Sequence, residues 1–354
     1  EVDSPNQYSV LPVPVNADSN WMSLSVGRGY TCAIKDDSTL WCWGDNADGR
    51  LGINSEVDKP KPVQVGTDSW LQINAGRIHT CGIKSNRTLW CWGVNDDGQL
   101  GLGVTSTIPE LIPLQVGTDT DWQHVSVGIF FTCGLKVDGT IHCWGWGSSG
   151  RLAQDSTDIT DKYTPTPIIA TQVWQSLSVG RDHACALADD NSMWCWGKDT
   201  HGETGQNDFS FNLYLPTQVE LDSDWKFLAS GDSNTCGIKT DLDINNAPTN
   251  QLYCWGINQD DQLGNGGINS LASLPGLVSG DSTNWRSVAA HSFHSCGVKH
   301  DNTLWCWGAN DHGTIGNGYD NTTYSAEPTP DPVQIGDADW STVGVGSDHT
   351  CGLK

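Results

Sequence analysis

The chain is short of positive charge. Among its 354 residues, 18 are lysine or arginine against 42 aspartate or glutamate, a formal net charge of -24 at pH 7. Nucleic acid and anionic membranes both need a basic surface, so neither is expected as a partner. No apolar run reaches about 18 residues, so no spanning helix is expected. Sustained helical periodicity is also missing, which sets aside the helical fold classes. The chain has no Gly-x-Ser-x-Gly elbow, no phosphate loop and no His-Glu-x-x-His, and an enzyme is not expected. Thirteen cysteines are present, yet no two stand two to four residues apart as in structural zinc sites, so they are not read as metal ligands. The chain begins at Glu1 without a signal-like apolar segment, which reads as a processed or fragmentary mature form.

What the chain has is repetition. Trp-Cys-Trp-Gly occurs at residues 41–44, 90–93, 194–197 and 305–308, with degenerate copies at 142–145 and 253–256. Each copy follows an upstream cysteine, so one hairpin is written six times. A further tryptophan opens each unit, at Trp21, Trp70, Trp122, Trp174, Trp225, Trp285 and Trp340. Those seven and the eleven in or beside the hairpins account for all 18 tryptophans. A unit reads as four short runs: an opening strand, the cysteine strand, the Trp-Cys-Trp strand and a proline-containing last strand such as Lys61-Pro62-Val63-Gln64-Val65. Four short strands per unit, a period near 50 residues and 40 glycines for turns predict an all-β propeller. One closed ring over residues 1–354 is expected, with units starting near 21, 70, 122, 174, 225, 285 and 340.

The cysteines follow the hairpins. Cys32 and Cys42, Cys81 and Cys91, Cys133 and Cys143, Cys185 and Cys195, and Cys296 and Cys306 are each ten apart, and Cys236 and Cys254 are the same pair with eight extra residues between them. A turn centred on Asp37 sets Ile34 opposite Leu40 and Cys32 opposite Cys42, within disulfide reach. Six cross-strand disulfides are predicted, and with them a secreted or cell-surface location.

The repeated strings Asn95-Asp96-Asp97-Gly98-Gln99-Leu100-Gly101 and Val345-Gly346-Ser347-Asp348-His349-Thr350-Cys351-Gly352-Leu353-Lys354 resemble the repeats of the regulator of chromosome condensation family, in a secreted, cysteine-rich form. The resemblance covers nearly the whole chain. It implies a seven-bladed β-propeller. It implies little about function, because that family hosts nucleotide exchange, enzyme inhibition and scaffolding. Units three and four depart from the pattern at Trp146-Gly147-Ser148-Ser149-Gly150 and Lys198-Asp199-Thr200-His201-Gly202.

The ends are irregular. The seventh unit stops after its cysteine strand, which leaves Cys351 unpaired, and Val10-Leu11-Pro12-Val13-Pro14-Val15 matches a last strand. Residues 1–20 are therefore expected to complete the seventh blade, closing the ring by pairing of the amino- and carboxy-terminal segments. An open edge there would also allow self-association.

Candidate sites were sought where the repeat is broken. His79, His183, His294 and His349 recur at one position, where other units have Tyr30, Phe131 and Asn234, which argues for a structural role. Trp146 is read as replacing a turn asparagine, and the lengthened fifth hairpin carries Asp243 and Asn246; these three are the candidate binding residues. Asn86 and Asn321 fit the glycosylation acceptor pattern. No cofactor is expected, although weak calcium binding at acidic turns stays open. The favoured reading is a non-enzymatic extracellular binding or scaffold propeller that recognises protein or glycan. The alternative is a structural subunit of an extracellular filament built by strand exchange at the seventh blade.

Overall fold

The structure, a computed structural model, describes residues 8–15, 20–207, 209, 212–221, 223–242, 248–267, 269–280, 283–319 and 328–354. The first unit shows how the sequence makes a blade. Its strands are Trp21–Val26, Tyr30–Lys35, Leu40–Gly44 and Lys59–Gln64, hydrogen-bonded in chain order as an antiparallel sheet. In the central hairpin Ile34 faces Leu40 and Cys32 faces Cys42. The turn between them is set by Asp37, whose carboxylate accepts the Thr39 amide at 2.9 Å and the Thr39 hydroxyl at 2.6 Å. That hydroxyl in turn accepts the Trp41 indole N–H at 2.9 Å. Aspartate, asparagine, serine and threonine favour turns for this reason, since their short side chains satisfy the backbone locally. Asn86, Thr88 and Trp90 repeat the arrangement, as do Asp301, Thr303 and Trp305.

Six disulfides join the second and third strands, Cys32–Cys42, Cys81–Cys91, Cys133–Cys143, Cys185–Cys195, Cys236–Cys254 and Cys296–Cys306, each between directly opposed residues with Cα atoms 4.1 Å apart. All twelve cysteines are buried. They lie in the apolar layers between blades, where the opening tryptophan of one unit packs on the cysteines of the unit before it, as Trp70 does with Cys32 and Cys42. The fifth hairpin is extended, with strands Asn234–Leu242 and Pro248–Ile257.

Within a blade, the opening tryptophan meets the second tryptophan of the hairpin edge-on or tilted. Trp70 and Trp92 stand 5.8 Å apart, and Trp225 and Trp255 stand 5.9 Å apart. Such pairs add about 0.5–1.5 kcal/mol beyond burial. The second tryptophan also bonds to the preceding blade: the Trp92 indole donates to the Arg50 carbonyl at 2.9 Å, and Trp144, Trp196, Trp255 and Trp307 donate to the carbonyls of Gln99, Arg151, Glu203 and Gln262.

The expectation of seven blades, with the ring closed by pairing of the terminal segments, is not met. Among the described residues the structure has six four-stranded blades. The last two strands, Thr342–Val345 and Thr350–Leu353, form a two-stranded sheet that contacts the sixth blade and the first. Residues 9–15 form no strand. The reason lies in the pairing rule of the fold: a fourth strand bonds only to a third, and among the described residues no strand follows Thr350–Leu353 for residues 9–15 to join. Val10 still touches the sixth blade, its carbonyl accepting the Gly318 amide at 2.8 Å. Cys351 is the one free cysteine among the described residues, and burial pushes its thiol up.

Replacing Cys133 and Cys143 together by alanine is expected to lower unfolding free energy by about 2–3 kcal/mol, and the Cys236 and Cys254 pair, with its longer loop, by slightly more. Urea unfolding midpoints at unchanged slope measure this; an unchanged midpoint would show that the bridges do not stabilise the blades.

Candidate binding face at the channel mouth

The histidines that recur before the cysteine strand are sealed between blades. His79 Nε2 lies 2.8 Å from the Thr132 hydroxyl, His183 Nε2 2.8 Å from Thr235, His294 Nε2 2.8 Å from Thr350 and His349 Nε2 2.9 Å from Thr31. The hydroxyls of Thr132, Thr235 and Thr350 already donate to the carbonyls of Gln99, Glu203 and Thr314. A hydroxyl has one proton, so in these three junctions the histidine must be the donor, neutral and protonated on Nε2. Tyr30 takes the same place, its hydroxyl 2.8 Å from that of Thr80, which donates to Arg50, and 3.1 Å from the His79 carbonyl. At two junctions both partners change. Phe131 and Ala184 replace donor and hydroxyl at one and are fully buried in one apolar cluster. Asn234 and Ser295 take those places at the other, where Ser295 donates to Gln262 and the buried Asn234 side-chain amide has no partner among the described residues. Burial holds His79 and His294 down at about 3 and His349 at about 4. These side chains hold blades together; His79, His183 and His294 are fully buried and His349 is half-buried.

The inner strands of all the sheets line a central channel, a cavity of about 500 Å³ that reaches from Leu24 and Asn74 round to Ala289 and Gly344. Side chains of one strand satisfy amides of the next: Ser25 accepts from Ala75, Asn74 from Val127, Ser126 from Val179 and Ser178 from Ser230. At one mouth the turns between first and second strands meet. A Cβ on Gly27 would come 2.4 Å from the Gly76 carbonyl, and one on Gly180 would come 2.2 Å from that of Gly231, so only glycine lets the turns close on each other. Arg28 donates its amide to Gly76 and Arg181 to Gly231 across the same gaps.

The residues that follow this glycine position differ from unit to unit. Arg28, Arg77 and Arg181 stand on three of the turns, the buried Ile129 and half-buried Phe130 on another, Asp232 on the next, Ser292 and Phe293 on the sixth, where His291 replaces the glycine, and Ser347 and Asp348 on the seventh. Arg28 and Arg181 are exposed and Arg77 is half-buried. Burial first, then the charge of Arg28, lowers the Arg77 guanidinium from its usual range, with Arg181 and Arg50 adding to the effect and Asp232 opposing it. Arg181 Nε lies 3.4 Å from Asp182, a buried carboxylate already held by Arg151 through Nε at 3.0 Å and Nη2 at 2.8 Å. The Ser292 hydroxyl donates to Asp232 at 2.5 Å.

Trp146 belongs to this face. Its amide donates to the Phe130 carbonyl at 2.9 Å, the two rings meet edge-on at 5.5 Å, and the Arg151 guanidinium lies 4.2 Å over the indole. The sequence reading of Trp146 as the replacement for a turn asparagine is corrected by one position. Gly147 stands where Asn46 stands, since both amides donate to a downstream aspartate, Asp161 and Asp58. Asn86 is exposed at its hairpin turn. Asp243, Asn246 and Asn321 lie outside the described residues. The arginines carry no break in the repeated strings: Arg28, Arg77 and Arg181 share one repeat position, and the ring is what brings them together.

The sequence profile of the RCC1-like domain matches residues 2–352. Among curated proteins, the chain is 25% identical over 299 residues to the ultraviolet-B receptor UVR8 of Arabidopsis thaliana, covering 83% of this chain and 54% of that protein. The guanine nucleotide exchange factor SRM1 of Saccharomyces cerevisiae is 24% identical over 374 residues, covering 99% of this chain and 70% of its own. The chain thus spans about half the length of UVR8. Of solved structures, human WBSCR16 superposes with a TM-score of 0.84 at 18% identity, covering 99% of this chain and 92% of that one. Prp20p of Saccharomyces cerevisiae, described with its binding to Gsp1p and histones, gives 0.77 at 21% identity over 94% of this chain and 82% of its own. At these identities the superpositions speak for the fold alone.

The sealed histidines give a pH prediction with a definite sign. In the unfolded chain they take up protons near pH 6.5, whereas His79 and His294 in the fold do so only near 3 and His349 near 4. Below 6.5 the unfolded state binds more protons, so stability is fully present above that pH and falls as pH drops. Each such histidine adds about 1.4 kcal/mol per pH unit to the slope. Changing His79→Phe together with Thr132→Ala, which copies the Phe131 and Ala184 junction, should flatten the slope by one proton's share in urea titrations between pH 6.5 and 4.5. An unchanged slope would mean that His79 is protonated in the fold.

Proposed function

The chain belongs to the family of RCC1-like domains, and on that footing we propose that it is a non-enzymatic binding propeller of an oxidising, extracellular setting which holds a protein partner on the channel-mouth face. The observation that carries this is the division of labour in the repeat. Its recurring residues are spent on junctions and hairpins, while the mouth turns display Arg28, Arg77, Phe130, Arg181 and Phe293, with Trp146 beside them. Arginine and large aromatics are the side chains most enriched at the energetic centres of protein interfaces. Phe293 is 46% exposed, more than an aromatic ring of a closed frame needs.

The six disulfides support the compartment, because cytosolic thiols are kept reduced. They also weigh against carrying over the exchange activity in the name of the yeast relative, unless that activity works in an oxidising space. No helix among the described residues is long and apolar enough to cross a membrane. The perturbed histidines, which would otherwise attract a catalytic reading, are used up in holding blades together.

Site-specific photo-crosslinking tests the face. Benzoylphenylalanine placed at position 293 or 146, and as a control at Ile108 on an outer strand, is exposed to extracellular fluid from the source tissue. Adducts with one protein at the first two positions and none at the third are expected. Adducts confined to position 108, or equal at all three, would remove the proposed face.

A further inference from the structure

We infer that Arg28, Arg77 and Arg181 form a carboxylate-binding site at the channel mouth, made for an acidic peptide segment of the partner. The inference rests on the protein-binding reading above and names the chemistry of its contact.

The first observation is placement. The chain has seven arginines and a net charge of -24, yet three of the seven stand on turns round one opening. Arg77 and Arg181 line the same cavity, and the Arg28 amide is bonded to Gly76, next to Arg77. The second is the shortage of countercharge. Among the described residues neither Arg28 nor Arg77 forms an ion pair, and Arg181 shares an Asp182 that Arg151 already holds with two hydrogen bonds. Asp232 opposes this charge at Arg77, but one of its oxygens already accepts the Ser292 hydroxyl. Asp348 stands on the turn beside that of Arg28, so two carboxylates face three arginines across the mouth. Like charges gathered without partners repel, so an arriving carboxylate relieves them, and guanidinium meets carboxylate through two parallel bonds.

The third observation decides between acidic ligands. A sulfated glycan is an extended polyanion, and it would have to lie along a surface carrying an excess of 24 negative charges. A short acidic segment of a protein feels mainly the mouth, since salt screens charges beyond about 8 Å. Phe130, with Trp146 against it, stands on the turn next to that of Arg181, whose carbonyl accepts the Ile129 amide, ready for an apolar residue next to the acidic ones.

The probe is fluorescein-labelled hexa-aspartate, with hexa-asparagine and a sulfated tetrasaccharide as comparisons, titrated with the intact protein by fluorescence anisotropy. Saturable binding of hexa-aspartate below about 1 mM in low salt is expected, weakening about tenfold when salt is raised past physiological strength. Arg77→Gln and Arg181→Gln should each weaken it about tenfold, and Lys61→Gln, on an outer strand, should leave it unchanged. Melting temperatures check that the variants fold; if Arg77→Gln does not, Arg28→Gln, an exposed position, takes its place. Equal binding of hexa-asparagine, no saturation by that concentration, indifference to the arginine variants, or tighter binding of the tetrasaccharide would each overturn the inference. Loss of peptide binding with photo-adducts still formed at position 293 sinks the carboxylate site alone, whereas adducts only at position 108 remove the face on which it rests.

Discussion

One backbone carbonyl per junction holds this ring together. The Arg50 oxygen accepts both the indole N–H of Trp92 and the hydroxyl of Thr80, and the oxygens of Gln99 and Glu203 accept the corresponding pairs from Trp144 and Thr132 and from Trp255 and Thr235. A carbonyl has two lone pairs, and here both are filled from the next blade in a site that excludes water. The hydroxyl then turns its own lone pair to a histidine or tyrosine of the blade that supplied the carbonyl. Two sheets are thereby bonded in both directions through three groups. Removing any one leaves a buried polar atom unpaired, which costs more than the bond itself is worth.

One of the two departures, the other being the unpaired Asn234 amide, supports the rule. Where Phe131 and Ala184 replace the donor and the hydroxyl together, the Arg151 oxygen keeps only the Trp196 indole, and the vacated polar contact is replaced by apolar packing. Exchanging one partner alone would strand the other; exchanging both is close to neutral. The junction is therefore a two-residue unit, one residue from each of two consecutive repeats.

Much of this was legible in the chain. The hairpin, its cysteine pairing and the all-β class follow from the ten-residue spacing and from period, because a strand pair with a short turn has few registers. The structural role of the four histidines was legible too, since a chemical site needs a unique constellation and a repeated residue is not one. Closure was not. Matching residues 10–15 to a last strand used local composition alone, but a fourth strand exists only where a third offers it a ladder, and that is a property of the sheet. The arginine mouth was hidden for a similar reason. Arg28 and Arg181 are 153 positions apart, and it is the curvature of the ring that brings their turns round one opening.

The separation of frame from face also bears on the charge. A surface with a large negative excess keeps such a molecule soluble, and it repels acidic partners at long range. Arginines scattered over that surface would be neutralised locally by their neighbours, as Arg50 is by Asp45 and Asp48. Gathered at the axis, where glycine turns leave little room for other side chains, they escape most of that neutralisation. The carboxylates nearest the arginines, Asp182 and Asp232, are themselves held by Arg151 and Ser292, so they leave part of the arginine charge unanswered. The ring therefore decides which residues meet at the opening, and a partner selected by charge would be selected where the turns pack most tightly on each other.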